Sequence, residues 1–124
     1  MTLYLDTSAI VKLYLEEPGS DVVRRGLAES EVVATCRIAY AESAAAFATA
    51  ARMGRVSEAA HEAAMVDLCS DWASFSVIDI VQPVVELAAH LAVRYALRGY
   101  DAVHLASALR YSQRAHARTV RSRI

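Results

Sequence analysis

The sequence has few of the residues that small proteins use when they lack a large core. Only two of its 124 residues are cysteines, too few for a disulfide scaffold and too far apart for a metal knuckle or a redox CxxC motif. Four glycines and two prolines form no linker, and no internal repeat is visible. With 56% hydrophobic residues, we expect a single domain over 1–124 in a reducing, cytoplasmic setting.

Long apolar runs are also missing. The apolar-rich stretch from residue 38 to residue 51 is interrupted by Glu42 and is shorter than the roughly 20 residues that span a bilayer. The N-terminus carries Asp6 and has no basic lead before an apolar segment, unlike a signal peptide. We therefore expect no membrane contact and a protein that stays where it is made.

Acidic residues are absent from one end of the chain. Residues 1–101 hold 8 basic and 14 acidic side chains, whereas residues 102–124 hold five arginines and no acid. This asymmetry fits either a basic tail that contacts an acidic partner, such as a nucleic acid, or simply a solvated helix end.

The hydrophobic pattern predicts alternating strands and helices. Three short apolar segments, LYL, EVVAT and SVIDI, have the composition of strands, and each precedes two helical stretches. The predicted order is β, α, α, β, α, α, β, α, α, which implies an α/β fold with a mostly parallel sheet. Such sheets place their sites beyond the carboxyl ends of the strands.

Capping residues and apolar stripes give the boundaries and inner faces of these helices. Ser20 is a predicted N-cap, and Gly99 is the predicted end of the helix that begins near Pro83. The alanine-rich helix from Arg37 to Arg52 is expected to pack through its stripe of small residues, and the helix after Pro83 through three large ones. These stripes are Ile38, Ala41, Ala45 and Ala48 in the first helix and Leu87, Leu91 and Tyr95 in the second.

Three acidic residues follow predicted element ends. Asp6 comes directly after the first strand, Glu42 lies in the first turns of the helix after the second strand, and Asp101 begins the last helix. Grouped carboxylates repel one another unless a cation neutralises them, and oxygen ligands favour Mg²⁺ or Mn²⁺. A metal ion so held can activate water against a phosphodiester. Asp101 taken alone is more often an ordinary helix N-cap.

Three segments in the same order resemble a known family. The strings YLDTSAIVKLYLEEPGS, RIAYAESAAAF and LRGYDAVHLASAL resemble the PIN-domain ribonucleases of the VapC toxin type, and the match extends from Leu3 to about Leu109. The resemblance implies a three-layer α/β/α domain. It also implies a Mg²⁺ or Mn²⁺ site lined by Asp6, Glu42 and Asp101, with the first and third as direct ligands. Ser8 and Thr7 match the hydroxyl residues beside the first acid.

The same resemblance implies a biological role. Members of this family cleave RNA as the toxin of a toxin–antitoxin pair, form homodimers, and are silenced by a small antitoxin. This sequence departs from the family after Asp101, where members continue into a strand with a fourth acid and this chain reads YSQRAHARTVRSRI. The C-terminal strand is therefore expected to be lost or altered. The alternative is a weakened remnant that binds antitoxin or RNA without efficient cleavage.

Several basic residues are candidates for contact with RNA or an antitoxin. Lys12 follows Asp6 on the same predicted helix, and Arg110 and Arg114 begin a stripe that continues to Arg118 and Arg121. An ordinary solvent-exposed surface accounts equally well for a basic residue at each of these positions. His104 shares a helical face with Asp101 and is either a partner of that carboxylate or a packed histidine.

Overall fold

The computed structural model describes the backbone of residues 1–122 and the side chains of residues 1–114. In chain order the elements are β1 (Thr2–Tyr4), α1 (Thr7–Tyr14), α2 (Ser20–Ala28), β2 (Val32–Cys36), α3 (Ala39–Arg52), α4 (Glu58–Trp72), β3 (Ser76–Ile78), α5 (Gln82–Tyr95) and α6 (Gly99–Ser122). The predicted order of strands and helices is confirmed. Residues 101–122 form only helix, so a strand after Asp101 is absent from the described chain.

The chain forms two compact units. The first contains residues 1–34 and 38–76, and the second contains residues 35–37 and the chain from Val77 onward. The single domain over 1–124 stays a prediction. No helix in the described part of the chain combines the length and apolarity that crossing a bilayer requires.

The strands form a sheet in the order β1-β2-β3. In the first unit, β1 and β2 run parallel with Leu3 opposite Val33, and Leu5 extends this ladder by donating its N–H to the carbonyl of Ala34 at 2.8 Å. In the second unit, Arg37 donates its N–H to the carbonyl of Ile78 at 2.9 Å. The predicted α/β fold with parallel strands is confirmed.

Helix α3 packs through a different face from the one predicted. Its buried residues are Ala39, Ser43, Phe47 and Ala50, whereas Ala41 and Ala45 are exposed. Phe47 is fully buried and makes an edge-to-face contact with Tyr14 of α1, with ring centroids 6.3 Å apart. Burial of one large aromatic residue outweighs burial of several alanine methyl groups, so Phe47 decides which face turns inward.

In the second unit, α5 packs closely against α6. Val84, Ala88 and Leu91 of α5 form a buried cluster with Ala102 and Ala106 of α6. Alanines on α6 let the two backbones approach closely.

Two predictions for α5 were wrong. Its C-cap is Ala96, in the left-handed conformation at φ 53°, whereas Gly99 starts α6. Tyr95 lies next to this early end and is 57% exposed, so it does not point into the core.

The turn into α2 also differs from the prediction. Gly19, at φ 94°, is the N-cap residue, and Ser20 is the first residue of the helix. The buried Ser20 hydroxyl accepts the N–H of Glu17 at 2.9 Å and donates to the carbonyl of Leu15 at 3.1 Å. Glycine suits position 19 because of its positive φ and because a Cβ there would come within 3.2 Å of the Lys12 side chain.

A hydrogen bond links α1 to α4. The Tyr14 hydroxyl donates to Oδ2 of Asp71 at 2.7 Å. Burial raises the pKa of Tyr14 well above its ordinary value, and the hydrogen bond to Asp71 and the charges of Asp71 and Asp67 raise it further. The folded protein therefore holds the phenol proton more tightly than the unfolded chain does.

We expect Tyr14→Phe to lower the free energy of unfolding by about 1 kcal/mol at neutral pH, because it removes a hydrogen bond to a charged acceptor. The raised pKa makes this contribution present below about pH 10 and progressively lost above it, since the unfolded chain then releases the proton first. Urea melts of both proteins between pH 7 and pH 11 check the result. In the Tyr14→Phe protein, the further substitution Asp71→Asn should not lower the free energy of unfolding again. If the losses from the two substitutions add, Tyr14 and Asp71 do not stabilise the fold through a shared hydrogen bond.

Candidate functional site

Asp6 lies at the point where β1 gives way to α1. It follows the buried Leu5 and serves as the N-cap of α1. Its Oδ1 accepts the backbone N–H of Ala9 and the hydroxyl of Ser8, both at 2.9 Å. Both donors bind the same oxygen, and they hold the exposed carboxylate in one orientation. Neither of these two hydrogen bonds involves Oδ2.

Glu42 lies in the first turn of α3 and is tied to the residue next to Asp6. The Thr7 hydroxyl donates to Oε1 of Glu42 at 2.7 Å. Because Asp6 and Thr7 are adjacent in the chain, this bond brings the first turns of α1 and α3 together. The structure thus places two of the three predicted acids in one unit, each with a neutral hydroxyl donor beside it.

Asp101 belongs to the second unit and lies in the first turn of α6. Its Oδ2 faces Nε of Arg98 at 3.2 Å, and the Asp101 side chain is 55% exposed. The partly positive N-terminal end of the helix also favours a carboxylate at this position. Asp101 is therefore an exposed acid next to a cation.

The donor chemistry of these residues fits a hard divalent ion. All three candidate ligands are carboxylates, and oxygen is the donor atom that Mg²⁺ and Mn²⁺ prefer. Asp6 is both fixed and exposed, as a ligand needs to be. In the described part of the chain, no three side chains among His, Cys, Asp and Glu form a group that could hold a metal ion.

The candidate basic residues have different surroundings. Lys12 pairs with Glu17 at 3.4 Å, and its side chain is 32% exposed. Arg110 is half-buried and Arg114 is exposed. Arg118 and Arg121 lie outside the residues whose side chains are described.

His104 fits the packed alternative. It is only 6% exposed, and its Nδ1 lies 3.5 Å from Sγ of the buried Cys36.

One residue next to Asp101 was not among the candidates. Arg98 stands three positions before Asp101 and contacts its carboxylate. Opposite charges three residues apart at the start of a helix predict an ion pair, so the sequence could have indicated this contact. Such pairs are common on helix surfaces and do not by themselves indicate a function.

Comparisons with known proteins agree with the sequence analysis. The PIN domain profile matches residues 3–115. Over 107 residues the chain is 40% identical to Ribonuclease VapC45 and to Ribonuclease VapC49 of two Mycobacterium tuberculosis strains. These alignments cover 86% of this chain and 74% of each relative.

Solved structures with low sequence identity share the fold. The crystal structure of VapC20 from Mycobacterium tuberculosis, described as a Sarcin-Ricin loop cleaving toxin, matches with a TM-score of 0.67 at 20% identity, covering 89% of this chain and 83% of that one. A toxin-antitoxin complex from Klebsiella pneumoniae matches with a TM-score of 0.65 at 20% identity, covering 90% and 81%. At this identity the likeness concerns the fold.

We expect Asp6→Asn to preserve the stability of the fold and Asp6→Ala to lower it by about 1 kcal/mol, since asparagine still caps a helix and alanine does not. Thermal or urea unfolding of the two variants checks this. Equal losses for both would mean that the charge of Asp6, rather than its cap, stabilises α1. The Asn variant is thus the better probe of Asp6 chemistry.

Proposed function

The chain belongs to the VapC-type PIN-domain ribonucleases, and we propose that it hydrolyses RNA phosphodiester bonds with Mg²⁺ or Mn²⁺ held by Asp6, Asp101 and Glu42. The observation that carries the proposal is the fixed orientation of Asp6, whose Oδ1 is engaged by Ser8 and Ala9. A ligand set in place before the ion arrives loses little conformational freedom on binding.

The residues around the acids have separate roles in this proposal. Ser8 orients Asp6, and Thr7 orients Glu42 through the 2.7 Å bond. Both donors are neutral, so they fix the carboxylates without cancelling their charge. An ion held by these acids would lower the pKa of a water bound to it and would offset the negative charge of the phosphodiester.

The proposal includes partners. The names of the similar proteins, a ribonuclease, a loop-cleaving toxin and a toxin-antitoxin complex, support an RNA substrate and a cognate VapB-type antitoxin. We propose that the chain acts in the cytoplasm as a homodimeric toxin. Lys12, Arg110 and Arg114 are the proposed contacts to RNA or antitoxin. Lys12 would have to exchange Glu17 for its new partner.

A second candidate is a remnant that binds antitoxin or RNA without efficient cleavage. The observation that favours it is that residues 102–124 contain five arginines and no acid. A site with fewer carboxylates would offer an ion less negative charge and would hold it more weakly. The two candidates predict the same binding partners and differ in turnover.

We expect purified protein to cleave RNA only when Mg²⁺ or Mn²⁺ is added, and Asp6→Asn or Asp101→Asn to reduce the rate by at least about a hundredfold. Loss of a ligand removes several kcal/mol of charge stabilisation from the transition state, and about 1.4 kcal/mol corresponds to a tenfold change in rate. Gel assays with labelled RNA, with and without EDTA, measure the effect. Asp79→Asn is a matched control, because Asp79 is an exposed acid that pairs with Arg37 at 2.8 Å.

Cleavage that persists in EDTA would contradict the metal-dependent mechanism. Antitoxin or RNA binding without cleavage at any Mn²⁺ concentration would favour the remnant.

A further inference from the structure

The outer face of α5 carries a stripe of apolar side chains. Val85, Ala89 and Val93 follow one another at intervals of four residues, so they lie along one side of the helix. All three are exposed, Val85 by 41% and Val93 by 87%. The buried residues of α5 are a separate set, which packs against α6. The stripe is therefore not part of the core.

Single exposed valines are common on protein surfaces, but here two of them flank an alanine in a regular repeat. Valine is β-branched and is a poorer helix former than the long polar residues that suit an exposed helix position. Burial against a second helix would compensate for this choice. The small Ala89 between the valines would let the two helix axes approach to about 8–10 Å.

Two opposite charges flank the stripe. Glu86 and Arg94 each follow a valine of the stripe by one residue, and eight residues correspond to about 12 Å along the helix. Oε1 of Glu86 accepts a hydrogen bond from Nε2 of Gln82 at 3.3 Å, and the Arg94 guanidinium lies 5.4 Å from the centre of the Tyr95 ring. Both of these contacts are with uncharged groups, so a charge on another molecule can pair with either residue.

This pattern is complementary to itself when its direction is reversed. In two copies of α5 packed antiparallel about a twofold axis near Ala89, Val85 of one protomer lies opposite Val93 of its partner. Glu86 then lies opposite Arg94 of the partner subunit, and the symmetry makes each contact twice. A parallel pair would place like charges opposite one another, which costs affinity. The charges therefore favour a second copy of this chain, in the antiparallel orientation, as the occupant of the stripe.

We propose that α5 forms a homodimer interface by packing antiparallel against α5 of a second copy, with Ala89 at the twofold axis. The inference rests on the homodimer that is part of the function proposed above, and it names the surface and the pairing. A single pair of helices makes a smaller interface than those of permanent complexes. We therefore expect a dimer that dissociates at micromolar concentrations.

The first test places a charge at the axis. We expect the parent protein to sediment as a dimer at about 100 μM and Ala89→Asp to sediment as a monomer, because two carboxylates would meet across the axis. Ala63→Asp is the matched control, since Ala63 is an exposed alanine inside α4, and it should leave the dimer intact. Analytical ultracentrifugation measures the masses, and circular dichroism checks that both variants are folded.

The second test reverses the flanking charges. Glu86→Arg places arginine opposite arginine and Arg94→Glu places glutamate opposite glutamate, so each variant should raise the dissociation constant of the dimer by about tenfold. In an equal mixture the two variants should form a heterodimer, because every arginine then faces a glutamate. The protein that carries both substitutions should dimerise as the parent does.

The third test locates the axis with disulfides, in a Cys69→Ser background that lacks the exposed native thiol. Ala89→Cys should form a disulfide-linked dimer under mild oxidation, because the same residue of each protomer lies at the axis, within disulfide reach. Val85→Cys and Val93→Cys should crosslink poorly alone and well when mixed. Non-reducing gels measure the yields.

Each way of failing has its own signature. A parent protein that stays monomeric at about 100 μM contradicts the homodimer and this interface together. A dimer that persists in Ala89→Asp overturns the interface and leaves the homodimer standing. Efficient crosslinking of Val85→Cys with itself, or no heterodimer from the charge variants, overturns the antiparallel pairing. None of these measurements needs RNA or a metal ion, so a failure of the proposed ribonuclease activity is detected separately.

Discussion

The parallel pairing of β1 with β2 is the constraint on which the candidate site depends. The Leu5 N–H reaches the Ala34 carbonyl, and this bond sets how far along the sheet the first strand extends. Asp6 is the next residue, so its position follows from the ladder. Its side chain then caps α1, which fixes the direction in which the helix leaves. A shift of one residue in this register would turn Leu5 outward and move the acid to the other face.

The same short segment also positions Glu42. Thr7 can donate to Glu42 because α1 begins immediately after Asp6 and packs against α3, where the buried Phe47 meets Tyr14. Hydrophobic burial holds the two helices together, and the hydroxyl bond selects one orientation of the carboxylate. Packing thus supplies most of the energy that holds the two helices together, while one hydrogen bond sets the orientation of the Glu42 carboxylate.

Sequence reasoning was sufficient for the order of elements and for the resemblance to the family, and insufficient for the faces and ends of individual helices. In α3 nearly every position is small, so alanine spacing carries little information, and the single buried Phe47 sets the face. In α5 the end comes at Ala96, where an alanine adopts a left-handed conformation that sequence rules assign to glycine. The positions of Asp6 at a strand end and of Glu42 at a helix start were predictable because these are local features, whereas the partner of Asp101 depends on where one long side chain lies.

The three acids are held by donors of two kinds, and the difference has a chemical consequence. A hydroxyl or a backbone N–H orients a carboxylate without itself carrying a charge, as Ser8 and Ala9 do at Asp6. A guanidinium orients a carboxylate and cancels its charge, as at Asp101. Asp101 is therefore the acid whose negative charge a neighbouring cation offsets, whereas the donors to Asp6 orient that carboxylate and are themselves neutral.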